Sequence, residues 1–127
     1  MKDKLNKVKL FHEKFGITNM FKPVNVLEEV YNLRFSLMKE ENEEYLQACK
    51  SGDLVEVADA LGDQLYILCG TILSHGLQDV IDEIFNEIQD SNMSKLGSDG
   101  KPIYREDGKI LKGVNYFKPD INKILKK

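Results

Sequence analysis

The chain has 127 residues, 42% hydrophobic and 31% charged, with a formal charge of −3. This bounds it to one domain, residues 1–127, with enough apolar material for a real core. The charge argues against nucleic-acid and anionic-membrane binders, which carry basic surfaces, and no apolar run reaches the roughly 18 residues that span a bilayer. The N-terminus, MKDKLNKVKLFHEKFG, alternates Lys with apolar residues at helical spacing and lacks the continuous apolar segment of a signal peptide. Cys49 and Cys69 form no CxxC pair and read as small core residues or bystanders in a reducing compartment, so a cytoplasmic location is expected.

The first predicted helix covers about residues 3–15, with Leu5, Val8, Phe11, His12 and Phe15 at three-four spacing and Gly16 as its C-terminal cap. His12 reads as a partly buried helix residue rather than a catalyst. ITNMFKPV follows as a loop, and Asn25 is the expected N-cap of a long second helix at about 26–50. SGD is a turn, after which Asp53 or Ser51 caps a third helix running to about His75 and closed by Gly76. A fourth helix is expected at about 77–95. Short links between long amphipathic helices predict an all-α fold, an antiparallel bundle of about four helices. Beyond Leu96 the character changes to a tail in which KPIY and KILK, joined through REDG, have the pattern of a small β-hairpin. The terminal KILKK reads as a solubilising tail.

KEENEEY, in the second helix, carries four glutamates in seven residues. At about 100° per residue, the inward stripe runs through Leu27, Val30, Arg34, Leu37 and Ala48, with Tyr45 at its edge. Glu41 and Glu44 fall within that stripe, Glu40 at its border and Glu43 on the opposite, solvated face. Arg34 shares the inward face and is expected to balance the acids. In the third helix, Ala58, Leu61, Leu65, Leu68, Cys69 and Ile72 make an apolar stripe, and Glu56, Asp59, Asp63 and Tyr66 make a narrower one beside it. Antiparallel packing through SGD brings both acid sets to the same end of the hairpin.

Carboxylates gathered in this way repel by several kcal/mol per pair, roughly 4 kcal/mol at about 4 Å and an effective dielectric of 20. Protonation, neighbouring cations or a divalent metal must relieve them, and an all-carboxylate set suits Mg²⁺, with Mn²⁺ as a substitute. Taken alone, Glu56 could be part of a capping box with Asp53, and a single EExxE is usually a solvated face. Two acidic pairs of i, i+3 spacing across one short turn favour metal. Other metal patterns fail: neither His12 nor His75 has Glu three residues before it, HExxH is absent, and an EF-hand read from Asp90 has Lys95 and Lys101 where Gly and Glu are needed.

EENEE followed by EVAD resembles the EExxE…ExxD signature of the all-α nucleoside triphosphate pyrophosphohydrolases (MazG-like, dimeric dUTPase and phosphoribosyl-ATP pyrophosphohydrolase proteins). FHEKFG, DALGDQLYILCGT, SNMSK and REDGKILKGVNYFKPD are similar to a phosphoribosyl-ATP pyrophosphohydrolase-like subgroup, so the resemblance covers nearly the whole chain. It implies a helical bundle, Mg²⁺ dependence, a nucleotide substrate, and a homodimer or homotetramer whose assembly completes the site. Glu41, Glu44, Glu56 and Asp59 correspond to the metal ligands. Many MazG-like proteins have Tyr four residues after the ExxD aspartate. Asp63 stands there in this chain, a further candidate ligand, with Tyr66 one turn on as a candidate substrate contact. Glu40 is a candidate water-positioning base beside Glu41. Asn92 and Lys95 of SNMSK, and more weakly Arg105 of the tail, are candidate phosphate contacts. The activity implied is cleavage of a nucleoside triphosphate to monophosphate and pyrophosphate. The alternatives are phosphoribosyl-ATP hydrolysis in histidine synthesis and a non-catalytic Mg²⁺-nucleotide-binding helical module.

Overall fold

The computed structural model describes residues 1–126; Lys127, the end of the KILKK tail, lies outside the described residues. The chain is mostly helical, and its contacts divide it into two units, Met1–Asp79 and Val80–Lys127. The first holds α1 (Lys2–Lys14), α2 (Glu28–Ser51) and α3 (Leu54–Ser74). The second holds α4 (Ile81–Met93), strands β1 (Ile103–Tyr104) and β2 (Ile110–Leu111), and a short α5 (Ile121–Leu125).

The turn between α2 and α3 fixes the geometry of everything that follows. Gly52 takes the left-handed conformation, φ 70°, and its N–H closes α2 on the carbonyls of Ala48 and Cys49, a role glycine fills without steric cost. Asp53 then caps α3, its carboxylate accepting from the N–H groups of Val55 at 3.0 Å and Glu56 at 3.3 Å. Two orphan donors of the first turn are thereby satisfied. Replacing this cap, Asp53→Ala, is expected to cost about 1 kcal/mol, read as a lower urea midpoint with an unchanged slope.

α3 is the central helix of this unit, packed by α1 and by α2. Its core consists of Leu5 and Val8 of α1, Ala48 of α2, and Ala60, Cys69, Ile72 and Leu73 of α3. The expected stripe of α3 is therefore only partly inside. Cys69 and Ile72 are buried, whereas Leu61, Leu65 and Leu68 are 49%, 37% and 47% exposed, and Ala58 is exposed. α3 is apolar around much of its circumference, and α1 and α2 take the arc marked by Ala60, Cys69 and Leu73. Leu33, Phe35 and Leu46 of α2 are likewise exposed. Such apolar surface on one chain is more than scattered surface residues require.

The segment between α1 and α2 is tied to the end of α3. Met20 donates its N–H to Leu73 O at 3.0 Å and Val24 to His75 O at 2.9 Å, while Gln78 Nε2 donates to Met20 O at 2.7 Å. Gly76, φ 68°, makes this approach feasible, since a Cβ there would lie 2.1 Å from Lys22 O. α2 begins two residues later than predicted, with Leu27 rather than Asn25 at the N-cap and no side-chain cap. α4 also begins late, at Ile81, because residues 78–80 form a turn after the reversal at Gly76.

In the second unit the hairpin forms as the REDG turn predicts, with Ile103 opposite Leu111 and Tyr104 opposite Ile110, and Gly108 at φ 87°. A stripe along α4 fastens the tail. Ser91, buried, donates to Phe117 O at 2.8 Å, Ser94 Oγ accepts from Phe117 N–H at 3.1 Å, and Glu87 accepts from Asp120 N–H at 2.8 Å. The solubilising reading of KILKK needs correcting. Asp120 caps Lys123 N–H at 3.2 Å, α5 follows, and Ile124 is buried. No helix among the described residues is long and apolar enough to cross a membrane.

Candidate metal centre

Glu41 lies eleven residues before Gly52 and Asp63 eleven after it. In an antiparallel pair with a rise of about 1.5 Å per residue, equal counts mean equal height. The structure follows this count: carboxylate oxygens of Glu41, Glu44 and Asp63 all lie within 4.8 Å of one another. A clasp holds the register at the same level, with Gln64 Nε2 on α3 donating to Asn42 Oδ1 on α2 at 3.0 Å.

Glu56 and Asp59 lie nearer the turn, four and seven residues after Gly52. Both are exposed and line an open groove of ≈ 780 Å³ with Glu40, Glu43 and Glu44. Glu44 thus belongs to both groups, to the tight cluster on one side and to the groove on the other. Glu43 is solvated as expected, its side chain 65% exposed and 3.4 Å from Lys39 Nζ. Glu40 is exposed on the groove wall.

The cluster is electrostatically unrelieved. Among the described residues, none of Glu41, Glu44, Asp63, Glu56 or Asp59 takes part in an ion pair. Glu41 is half-buried, and its Oε2 is wholly buried without a hydrogen-bond partner. Burial first, then the neighbouring Glu44, then the charges of Asp63 and Glu40, push the Glu41 carboxyl up to about 7. At ~5 Å and an effective dielectric of 20, each ionised pair costs roughly 3 kcal/mol before screening at the exposed Glu44.

Arg34 does not relieve it, contrary to expectation. Its guanidinium is buried and points across to α3, with Nε donating to Thr71 Oγ1 at 3.0 Å and Nη2 to Ile67 O at 2.9 Å. His12 is fully buried beside it, Nδ1 2.6 Å from Asn19 Oδ1. Burial, opposed by the Asn19 bond and reinforced by the Arg34 charge, holds the imidazole below its ordinary range. His12 is a core residue.

A set of carboxylate oxygens, one buried and unpaired, with no cation among the described residues to balance it, fits a hard divalent cation. Glu41, Glu44 and Asp63 would hold it, with Glu56 and Asp59 at the mouth. Asp63 is therefore more central than its place as a further candidate suggested, and the signal for it was the residue count about Gly52.

Tyr66, one turn beyond Asp63, is 41% exposed and meets Phe11 edge-on at 5.7 Å, and Phe11 stacks on Phe15 at 4.4 Å. In the second unit, Asn92 is exposed and Lys95 half-buried, its carbonyl accepting from Gly113 N–H at 2.9 Å. Ser91 and Ser94, which the sequence reading of SNMSK passed over, are the residues that grip the tail. Arg105 is paired with Asp107 within the hairpin turn, Nε to Oδ1 at 2.9 Å.

The family model for phosphoribosyl-ATP pyrophosphohydrolase matches residues 8–92, a span that includes the whole acidic cluster. No curated protein matches the chain. Among solved structures, the chain is similar to a protein from Exiguobacterium sp. 255-15 whose naming as an NTP pyrophosphohydrolase is itself provisional. The two share 24% identity over 95% of this chain and 90% of that one, with a TM-score of 0.48. With two thirds of its length matched, acidic cluster included, the chain belongs to the phosphoribosyl-ATP pyrophosphohydrolase family and is a pyrophosphohydrolase.

Proposed function

We propose that the protein is a cytoplasmic, Mg²⁺-dependent nucleoside triphosphate pyrophosphohydrolase, converting a nucleoside or deoxynucleoside triphosphate to monophosphate and pyrophosphate in nucleotide-pool housekeeping. The observation that carries this reading is the Glu41–Glu44–Asp63 cluster with its orphaned Glu41 Oε2, in a chain of this family. When bound, Mg²⁺ (or Mn²⁺ in its place) neutralises phosphate charge and lowers the pKa of a bound water.

The chain's own residues do the rest. Glu41, Glu44 and Asp63 fix the cation, and Glu56 and Asp59 extend the acidic surface along the groove. Glu40, exposed on the groove wall, orients the attacking water and accepts its proton. Tyr66 is assigned to the nucleoside side of the substrate. The exposed apolar residues of α2 and α3 support a homodimer or homotetramer. Asp63→Asn is expected to weaken metal binding at least about tenfold, since losing even a group that only orients a ligand costs about ten- to a hundredfold; calorimetric titration checks it.

Phosphoribosyl-ATP is the second reading, supported by the name of the matching family, and it presents the same phosphoanhydride to the same acids. Assaying pyrophosphate release at millimolar Mg²⁺ from a panel of ribo- and deoxyribonucleoside triphosphates together with phosphoribosyl-ATP tests both. Turnover of a common triphosphate is expected. Turnover of phosphoribosyl-ATP alone would select the second reading, and release from none would leave a Mg²⁺-nucleotide-binding module.

A further inference from the structure

A second cavity in the first unit, of ≈ 660 Å³, lies among the α1–α2 connection, the start of α2 and the end of α3. Its wall is mostly apolar, with Val30 and Leu33 of α2 prominent, and its polar lining includes Asn25, Glu29, Ser74 and Arg34. Arg34 is only 5% exposed, yet among the described residues it has no carboxylate within ion-pair distance. Its Nε and Nη2 are engaged by Thr71 and Ile67. Its Nη1 bonds to no described residue and is not among the sealed, unsatisfied atoms.

Two features hold this guanidinium in place. Thr71 Oγ1, itself bonded to Ile67 O at 2.9 Å, accepts from Nε, and Gly70 leaves the room the group occupies. A Cβ at Gly70 would sit 2.5 Å from Nη2 and 2.9 Å from His12 Nε2. A buried cation without its counter-ion is costly. One placed at the wall of an apolar cavity, with donors free, is arranged to receive an anion from outside the chain.

We infer that this cavity is a second binding site, distinct from the acidic cluster, for a small carboxylic acid whose carboxylate pairs with Arg34 and whose apolar body fills the space beside Val30 and Leu33. The volume is in the range of small-molecule sites. Glu29 in the lining disfavours polyanions, so the ligand carries a single charge rather than a triphosphate. Arg34 lies two helical turns before Glu41 on α2, which separates the two sites by about 10 Å along the helix axis.

Calorimetric titration and thermal shift of the full chain with benzoate and hexanoate test this, with benzamide, hexanamide and inorganic phosphate as controls. The acids should bind saturably and raise Tm, and the amides and phosphate should bind at least about tenfold more weakly, the loss expected for a missing charge-assisted bond. Arg34→Met should remove acid binding. Should that variant not fold, Leu33→Trp, which fills the cavity from an exposed position and leaves Arg34 intact, should remove it too. Equal binding of acids and amides, binding of phosphate as tight as that of the acids, or wild-type affinity in L33W would overturn the proposal. So would indifference of the wild type to both acids, including the case where L33W also breaks an oligomer and so shows a second copy to be the occupant.

Discussion

Glu41→Gln is expected to abolish pyrophosphate release while raising the thermal stability of the metal-free protein. The first effect follows from removing the half-buried carboxylate proposed as a metal ligand, and a loss of a hundredfold or more in kcat/KM, to an order of magnitude, is the expected scale. The second follows from the electrostatics: Glu41 is crowded by Glu44, Asp63 and Glu40 and has a buried oxygen with no partner. The folded protein holds this carboxyl above its unfolded value, at about 7, so its cost to folding has a definite pH sign. Below the ordinary glutamate range the group is neutral in both states, and wild type and variant should be equally stable. From the ordinary glutamate range up to about 7 the unfolded chain is ionised while the folded carboxyl keeps its proton, so the wild type loses stability across that window and the variant does not. After allowance for screening at the exposed Glu44, the gain is on the order of 1 kcal/mol, or a few degrees in Tm. Thermal melts in chelator at pH 5 and pH 8, beside an activity assay, check both halves. A variant less stable than wild type at pH 8 would mean that Glu41 is not strained in the free protein.

The largest stability effect is expected far from the acids, at Gly76. Gly76→Ala should cost about 3–5 kcal/mol. The left-handed conformation, φ 68°, costs an L residue about 1–2 kcal/mol. The added Cβ would also lie 2.1 Å from Lys22 O and 2.6 Å from Lys22 C, atoms of the backbone that cannot swing aside. The segment would have to lift from α3, loosening the Val24–His75 and Met20–Leu73 bonds and the Gln78–Met20 bond, each worth about 1 kcal/mol. Gly52→Ala is the control. Its φ is 70°, but nothing lies within 4 Å of the added Cβ, so it should lose only the conformational part. Equal losses in urea unfolding of the two variants would show that the close approach at Lys22 carries no weight.

What the sequence made legible was largely local. Gly16, Gly52 and Gly76 as helix terminators, Asp53 as a cap and REDG as a hairpin turn each depend on a few consecutive residues, and each is seen in the structure. The helical wheel placed Glu41 inward and Glu43 outward as found, but Glu44, set in the same inward stripe as Glu41, is exposed. It misjudged Arg34 because angle alone does not say what the neighbouring helix offers; the face opposite holds Thr71 and the Ile67 carbonyl rather than an acid. Leu61, Leu65 and Leu68 were assigned to the core, but α3 is apolar on more than one arc and its partners choose between them. The cluster needed a second coordinate, height along the helix pair, and the count about Gly52 that brings Asp63 level with Glu41 supplies it. α5 was missed because a five-residue helix with one buried side chain leaves no periodicity to read.

We propose the acidic cluster on α2 and α3 as a site for a divalent cation. Calorimetric titration of Mg²⁺ into metal-free wild type and Glu41→Gln, both folded by circular dichroism, tests it most directly. Saturable binding to the wild type that weakens at least about tenfold in the variant is the expected result. Heats indistinguishable between the two proteins, or no binding to the wild type at millimolar Mg²⁺, would contradict it.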